Sequence, residues 1–443
     1  MFRGFESHAL RCPINEDATL SERTTREERK AKRLLKRRAL ARHGILPKPS
    51  FARALGGILV KAIAAVAGAA IAIAGISTYE ITSQLKADGI VLTDANGKPY
   101  AQTAADLKGP INMLLVGSDT RSGSNPRIFG NETSTLADVI ILLHVSADRK
   151  NAVALSFPRD LLVPWPACPS TSGGSGYYAQ SLGQINATIA NGGPGCTLLT
   201  VEKLTGVKIP YLAMINFGGV IEMSNAIGGV RVCIAKDIND TYTFLHLTKG
   251  WHTLQGMQAL QFLRTRHGVG DGSDLGRISN QQVFLTSLIR KVRSHGVLTN
   301  PVTLYSLANA AARNMKLSTN LTDLNTLVAI ASAVKDTPLD KITFLQVPSH
   351  GGLPAPYSGR VMPNYDTANL LFEKLRNDEP IILDKVNTGF GTTTLPSASP
   401  SPSPSATAKA TKKTKASPSP SPSESALPDG YTGTNGSTVS CSG

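Results

Sequence analysis

The chain has 443 residues, a formal net charge of +15 from 46 Lys and Arg against 31 Asp and Glu, and 41% apolar residues. That length can bury a sizeable core and leaves room for one large domain or two to three ordinary ones. The cation excess points to nucleic acid or an acidic membrane surface as partner, and the next stretch of sequence separates the two.

Residues 1–53 carry fourteen Lys and Arg against six acids, which is +8 of the +15, with REERKAKRLLKRRALAR at 26–42 as the densest run. Residues 54–76, ALGGILVKAIAAVAGAAIAIAGI, follow with a single charge, Lys61, close enough to the start to snorkel. Twenty-odd apolar residues suffice for a membrane-spanning helix. The segment begins beyond residue 50 and lacks an Ala-x-Ala-like exit, so it reads as an anchor and not as a cleaved signal peptide. Lys and Arg stay on the cytoplasmic side, which places 1–53 inside and everything after the span outside. This orientation accounts for the basic run, and no nucleic-acid partner is expected. Residues 77–108, of mixed composition, read as a stalk.

Between 109 and 390 apolar runs alternate with helical patterns. INMLLVG from Ile111, DVIILLHV from Asp138, AVALSFP from Ala152, IPYLAMINF from Ile209 and VRVCI from Val230 have the form of buried strands. LLTVEKLTG closes on Gly206 and GVIEMSNAIGG on Gly228 and Gly229, as helices do. The alternation predicts a layered α/β sheet. Beyond 391 the chain turns to Ser, Pro, Thr, Ala and Lys, a composition that cannot bury enough apolar surface to fold, so 391–443 reads as a disordered tail.

Ligands of open α/β sheets collect beyond the carboxyl ends of strands. The first strand runs into Asp119 and Arg121, the third into Arg159 and Asp160 behind Pro158, and Asp138 opens the second. Singly each is what a turn cap provides; together they suggest a shared site. Thr253 to Arg264 predicts a helix with Thr253 as cap, and Arg264 and Arg266 emerge at its end. After GVGDGSDLG a second helix carries Arg277 and Gln281 on one face of its first turns, where backbone amides and dipole favour an anion. Arginine forks match phosphate oxygens, so the cluster reads as a pyrophosphate grip, with His267 in a supporting role. Asp119 and Asp138 suit a hard cation, Mg²⁺ or Mn²⁺, shared with substrate phosphates. The segments IPYLAMINF and VIEMSNAI, between the charged regions, are predicted to line a groove.

Neither CxxC nor HExxH occurs, so no zinc site is read, and no Walker A loop, kinase signature or GxSxG elbow accompanies the arginines. Cys12 falls inside; Cys168, Cys196, Cys233 and Cys441 fall outside, where disulfides persist. Cys168 with Cys196 is the favoured pair because the two bracket one polar insertion.

In order, INMLLVGSDTR, SFPRD, QIN, LTVEKLTG, GWHTLQGMQAL, RTRHG and DLGRISNQQ resemble the LytR-CpsA-Psr family of bacterial envelope proteins, strongly over 109–300. The resemblance implies a three-layer α/β/α domain with a central mixed sheet, in which an apolar groove holds a polyprenyl chain and an arginine-rich mouth its pyrophosphate. It implies a phosphotransferase that moves a glycopolymer from that carrier onto peptidoglycan; a lipid pyrophosphatase and a transcriptional attenuator are the rival readings. Carried over residue by residue, Asp119 and Arg121 match the first motif, Arg159 and Asp160 the second, and Arg264, Arg266, Arg277 and Gln281 the last. Asp138 matches a metal-associated carboxylate, and Arg159 and Arg121 take the catalytic role. The chain departs from the pattern at Leu136, where many members have arginine, at Gln184, where many have lysine, and at Asn280, where arginine is frequent.

Overall fold

The structure, a computed structural model, describes residues 27–35, 51–100, 107–119, 135–169, 176–293, 297, 300–383, 386, 387, 389, 391–395, 427, 428 and 430–443. The chain divides into two units, Met1–Ile76 and Ser77–Gly443. Helix α1 (Phe51–Ala87) covers the expected span 54–76, although the side chains of 51–59, 70, 71, 73 and 74 lie outside the described residues. Among the described residues no helix is long and apolar enough to cross a membrane.

The second unit is built on three adjacent strands, β1 (Ile111–Ser118), β2 (Ala137–Val145) and β3 (Ala152–Phe157), paired antiparallel. On one flank β6 (Tyr211–Ile215) runs parallel to β1 and β11 (Met315–Leu317) closes the edge. On the other, β12 (Ile342–Gln346) runs parallel to β3 and carries β16 (Gly433–Asn435). The result is a mixed seven-stranded sheet.

Strand alternation explains its two covered faces. Leu114, Val116, Ile140 and Leu142 point one way, against α2 (Thr188–Thr205) and α8 (Tyr365–Arg376). Ile111, Leu115, Ile141 and Ala213 point the other way, toward the end of α1, α6 (Pro301–Asn314), α7 (Leu324–Asp336) and Leu285 of α5 (Asp274–Arg293). Helices on both faces make the three layers that the sequence led one to expect. A smaller sheet of β10 (Gly250–Leu254), β7 (Val230–Ile234), β17 (Ser440–Ser442) and β15 (Thr392–Thr394) packs on α4 (Met257–Arg264) and α5. Short pairs of β4 (Leu162–Trp165) with β5 (Gln180–Gln184) and β8 (Ile238–Asp240) with β9 (Leu245–Leu247) complete the strands that matter below.

Three sequence expectations are corrected. The stalk at 77–108 is part of the folded body: Leu85 and Leu92 are buried in its cores, and the Ile90 amide donates to Leu317 O at 2.8 Å. Scattered apolar residues in a mixed stretch were enough to dock it. The expected tail at 391–443 contributes strands at both of its ends, β15 at 392–394 and β16 and β17 at 433–442. After the Ser/Pro stretch the sequence regains Leu427, Tyr431 and Cys441, all buried, and adds β16 to the large sheet and β17 to the small one. Residues 396–426 lie outside the described residues. The helix expected from Thr253 begins instead at Met257, because Thr253 and Leu254 pair with β7 and Gly256, at φ 58°, turns the chain between strand and helix.

Two disulfides lock this body. Cys168 pairs with Cys196, as expected, and Cys233 pairs with Cys441 across 208 residues of sequence, joining β7 to β17.

Candidate active site

Helix α5 organises the site. Arg277 and Gln281 stand near its amino end, and Phe284, Leu285, Leu288 and Val292 continue the same stripe along its length. The apolar part of the stripe faces Leu115, Ile141 and Ala213 of the sheet across a cavity of about 350 Å³. Both predicted lining segments contribute, through Ile215 and Phe217 from one and Val220 and Met223 from the other. At one end the wall turns polar, with Asp138, Arg264, Arg277 and Gln281.

There a second cavity, of about 250 Å³, shares Asp138, Arg264 and Arg277 with the first and adds Arg159, Arg266, His267 and Asp240. Four guanidinium groups thus face two carboxylates. An apolar chamber that shares a wall with an arginine-rich pocket suits a molecule with a hydrocarbon body and an anionic head.

Each arginine is held differently. Arg159 leaves β3 behind Pro158; its Nη1 lies 2.7 Å from Asp138 Oδ1, and its Nε 3.4 Å from Asp160 Oδ2 and 3.5 Å from Asp274 Oδ1. Burial pulls its pKa down, but the three carboxylates outweigh that and hold it above the ordinary arginine value. Arg277 is nearly enclosed, donates from Nη2 to the Asp138 carbonyl at 3.0 Å, and pairs with Asp274 at 2.6 Å. Burial pushes its pKa down against the pull of Asp274 and Asp138. The buried Nε atoms of Arg159 and Arg277 make no hydrogen bond among the described residues. Arg264, the last residue of α4, lays its guanidinium 4.5 Å from the centre of the Phe217 ring. The Arg266 amide donates to Asp240 Oδ2 at 3.1 Å. Gln281 Nε2 donates to Leu263 O at 3.2 Å and so ties α5 to α4.

Of the other predicted residues, Asp160 accepts from Gln184 Nε2 and Arg360 Nη1, both at 2.8 Å, and stands behind Arg159 as a support. Asp119 accepts the Leu136 amide at 2.6 Å and donates its own amide to Leu136 O at 3.2 Å. It therefore clamps the two ends of 120–134, and it lines neither cavity. Arg121 lies outside the described residues. Asn280 is fully buried and accepts from the Ser442 hydroxyl, which ties the chain's end to α5 on the turn that carries Arg277 and Gln281.

Sequence reasoning missed three supports: Asp274, Asp240 and Arg360. Asp274 looked like a residue of a glycine-rich loop but opens α5, where its carboxylate neutralises Arg277 and Arg159; burial holds its pKa up while both arginines pull it down. Its place in the first helical turn after Gly272 was the only available signal. Asp240 and Arg360 reach partners 26 and 200 residues away, and nothing local marks them.

Known proteins place this arrangement. The cell wall biosynthesis protein LcpA of Corynebacterium glutamicum is 27% identical over 289 residues, 59% of this chain and 55% of its own length. The polyisoprenyl-teichoic acid–peptidoglycan teichoic acid transferase TagT of Bacillus subtilis is 27% identical over 242 residues, 53% of this chain and 68% of its own. The chain thus spans about half the length of the first of these relatives. Among solved structures, protein gbs0355 of Streptococcus agalactiae shares the fold, with a TM-score of 0.51 and 21% identity over 62% of this chain and 89% of its own. The family model matches residues 77–373, and the chain belongs to the LytR_cpsA_psr family, the LytR-CpsA-Psr proteins.

Proposed function

We propose that this chain is a membrane-anchored extracytoplasmic transferase that moves a glycopolymer from a polyprenyl-pyrophosphate carrier onto a hydroxyl of peptidoglycan. The observation that carries the proposal is that the apolar cavity and the arginine pocket share Asp138, Arg264 and Arg277 as a common wall. The polyprenyl chain takes the first cavity and the pyrophosphate the second. Relatives named as teichoic acid transferases and cell wall biosynthesis proteins support the same reading.

In the reaction the acceptor hydroxyl forms a bond to the phosphorus that bears the glycan. The bond from that phosphorus to the bridging oxygen breaks, polyprenyl monophosphate leaves, and the hydroxyl proton ends on the released phosphate. Fixed guanidinium donors at the developing negative charge are the main catalytic resource of such a site, and Arg159, braced by three carboxylates, is the best fixed. Asp119 and Asp138 offer oxygen donors of the kind Mg²⁺ or Mn²⁺ takes. Among the described residues no three His, Cys, Asp or Glu are grouped so that they could hold a metal ion by themselves, so a cation here would complete its shell from phosphate and water, as Mg²⁺ does. When bound, it would supply neutralisation of phosphate charge.

Anchoring is read from α1, on which Val60, Ile63 and Val66 are exposed, preceded by the basic segment. Two disulfides support an oxidising compartment outside the membrane for the second unit.

The test uses the full chain, a labelled polyprenyl-pyrophosphate glycan and peptidoglycan fragments. Label on peptidoglycan, with one polyprenyl phosphate released per transfer, is expected. Release of free glycan phosphate alone would mean that water is the acceptor and the protein a pyrophosphatase. Asp119→Ala and Asp138→Ala should both weaken the Mg²⁺ dependence of turnover; unchanged titration curves remove them from the metal site. A reporter fused after residue 390 that proved cytoplasmic would overturn the topology.

A further inference from the structure

We propose that the tip of the β8–β9 hairpin is a carbohydrate subsite, in which Tyr242 and Phe244 take the faces of the pyranose joined to the carrier's pyrophosphate. This rests on the transferase reading and extends it to the part of the donor beyond the phosphates.

Ile238, Leu245 and Leu247 bury the base of the hairpin, whereas Tyr242 and Phe244 at its tip are each 76% exposed. Single exposed aromatics are ordinary. Tyr242 is set apart by its place on the wall of the arginine pocket, and Phe244 stands two residues along the same tip. Phe244 sits at φ 57°, a left-handed conformation unusual for a bulky residue and tolerated where the neighbouring structure imposes it.

Asp240, only 1% exposed, anchors the turn just before Phe244. Its Oδ1 accepts the amides of Tyr242 at 2.9 Å and Thr243 at 3.3 Å; its Oδ2 accepts the Arg266 amide at 3.1 Å and the Thr265 hydroxyl. One carboxylate therefore sets the aromatic tip in register with an arginine of the pocket. Tyr242 and Thr243 are themselves part of the arginine pocket's wall, and Tyr242 stacks on His267 with ring centres 4.3 Å apart. Thr243 Oγ1, a buried hydroxyl on that wall, has no hydrogen-bond partner among the described residues.

A pyranose offers a face of C–H bonds to an aromatic ring, whose face carries negative charge density, and hydroxyls at its edge. Thr243 supplies a partner for one such hydroxyl. The donor's first sugar is bonded directly to the phosphate that the arginines would hold, so it must lie at that pocket's rim, where Tyr242 stands. The acceptor's sugar meets the same phosphorus only during transfer, so binding of the donor alone reports on the sugar that the tip holds. Asp240 is in these terms a positioning residue.

The experiment titrates the full chain, in detergent or nanodiscs, with polyprenyl pyrophosphate that either carries its glycan or lacks it. Wild type is expected to favour the glycan-bearing lipid by about tenfold, the worth of one or two aromatic contacts. Tyr242→Ala combined with Phe244→Gly, glycine accepting the positive φ, should abolish the preference by weakening the glycan-bearing lipid about tenfold more than the bare lipid pyrophosphate. Tyr242→Phe should keep the preference. In turnover the double variant should raise KM for the donor and leave that for peptidoglycan unmoved. Equal loss for both lipids would show that the tip only shapes the pocket, and a rise in the peptidoglycan KM alone would assign the sugar to the acceptor; either overturns the proposal. A wild type that binds both lipids alike sinks the subsite and leaves the transferase reading standing, whereas one that binds neither sinks both.

Discussion

Arg159 Nη1 and Asp138 Oδ1 lie 2.7 Å apart, and the same guanidinium is flanked by Asp160 and Asp274 at its other edge. Its plane is thereby fixed before any substrate arrives. A lysine would keep the charge but satisfy one carboxylate at a time. Arg159→Lys should therefore lose about 100-fold in turnover, close to the loss for Arg159→Ala, with a smaller change in KM. Steady-state rates of the three proteins decide it. A lysine variant near wild type would reduce Arg159 to diffuse charge and move attention to Arg264, Arg266 and Arg277.

Filling the apolar cavity should block the lipid without harming the fold. Ala213 on β6 lines that cavity, so Ala213→Trp has empty volume to occupy. Packing an extra ring into a filled core costs about 1–3 kcal/mol. Here denaturation should shift by less than about 1 kcal/mol while polyprenyl-pyrophosphate affinity drops at least about tenfold. A large stability loss with unchanged lipid affinity would mean that the chamber is slack core packing.

Asp240 makes acid sensitivity testable. Burial would raise its pKa, but the Thr265 hydroxyl and the amides of Arg266, Tyr242 and Thr243 outweigh that and leave it below the ordinary value. An acid whose folded pKa is lowered contributes stability that is present above its unfolded pKa and is lost as pH falls through the folded one. Asp240→Asn should thus be less stable at neutral pH by about 1–3 kcal/mol, because its NH2 cannot accept from donors at one of the two oxygen positions, such as the Thr265 hydroxyl and the Arg266 amide. Below about pH 4 its stability should converge on that of wild type. Parallel stability curves across that range would exclude Asp240 as the source.

The two disulfides should differ in worth. In the loop-entropy account, closing the 208-residue separation between Cys233 and Cys441 is worth about 5 kcal/mol, and closing the 28-residue one between Cys168 and Cys196 about 3.5. Cys233→Ser with Cys441→Ser should lower the thermal midpoint more than Cys168→Ser with Cys196→Ser. The reverse order would show that the end strands hold without their bond.

Where sequence and structure agree, the signal was local. The runs at Ile111, Asp138 and Ala152 are apolar on both faces because each face meets a helical layer, and such runs read as buried strands anywhere. The shared face of Arg277 and Gln281 on α5 was likewise visible, because a spacing of four on a helix is local. What stayed hidden depends on partners distant in sequence. Asp240, Asp160 with Arg360, and Asn280 with Ser442 are joined over tens to hundreds of residues, and no pattern in their own neighbourhoods announces it. The returning end was hidden for a different reason: seventeen ordinary residues after a long Ser/Pro stretch inherit its low-complexity look, although Tyr431 and Cys441 are core residues.

The bond from Cys441 to Cys233 changes what a cut in the chain does. Residues 392–394 and 440–442 pair in one small sheet, so the lysine-bearing run KATKKTK at 409–415 falls in sequence between two stretches that are both held to the second unit. A trypsin-like protease acting at Lys412 or Lys413 would sever the polypeptide without releasing anything. The two pieces would travel together through gel filtration and separate only after reduction, so a nicked protein keeps its last strand until a thiol frees it.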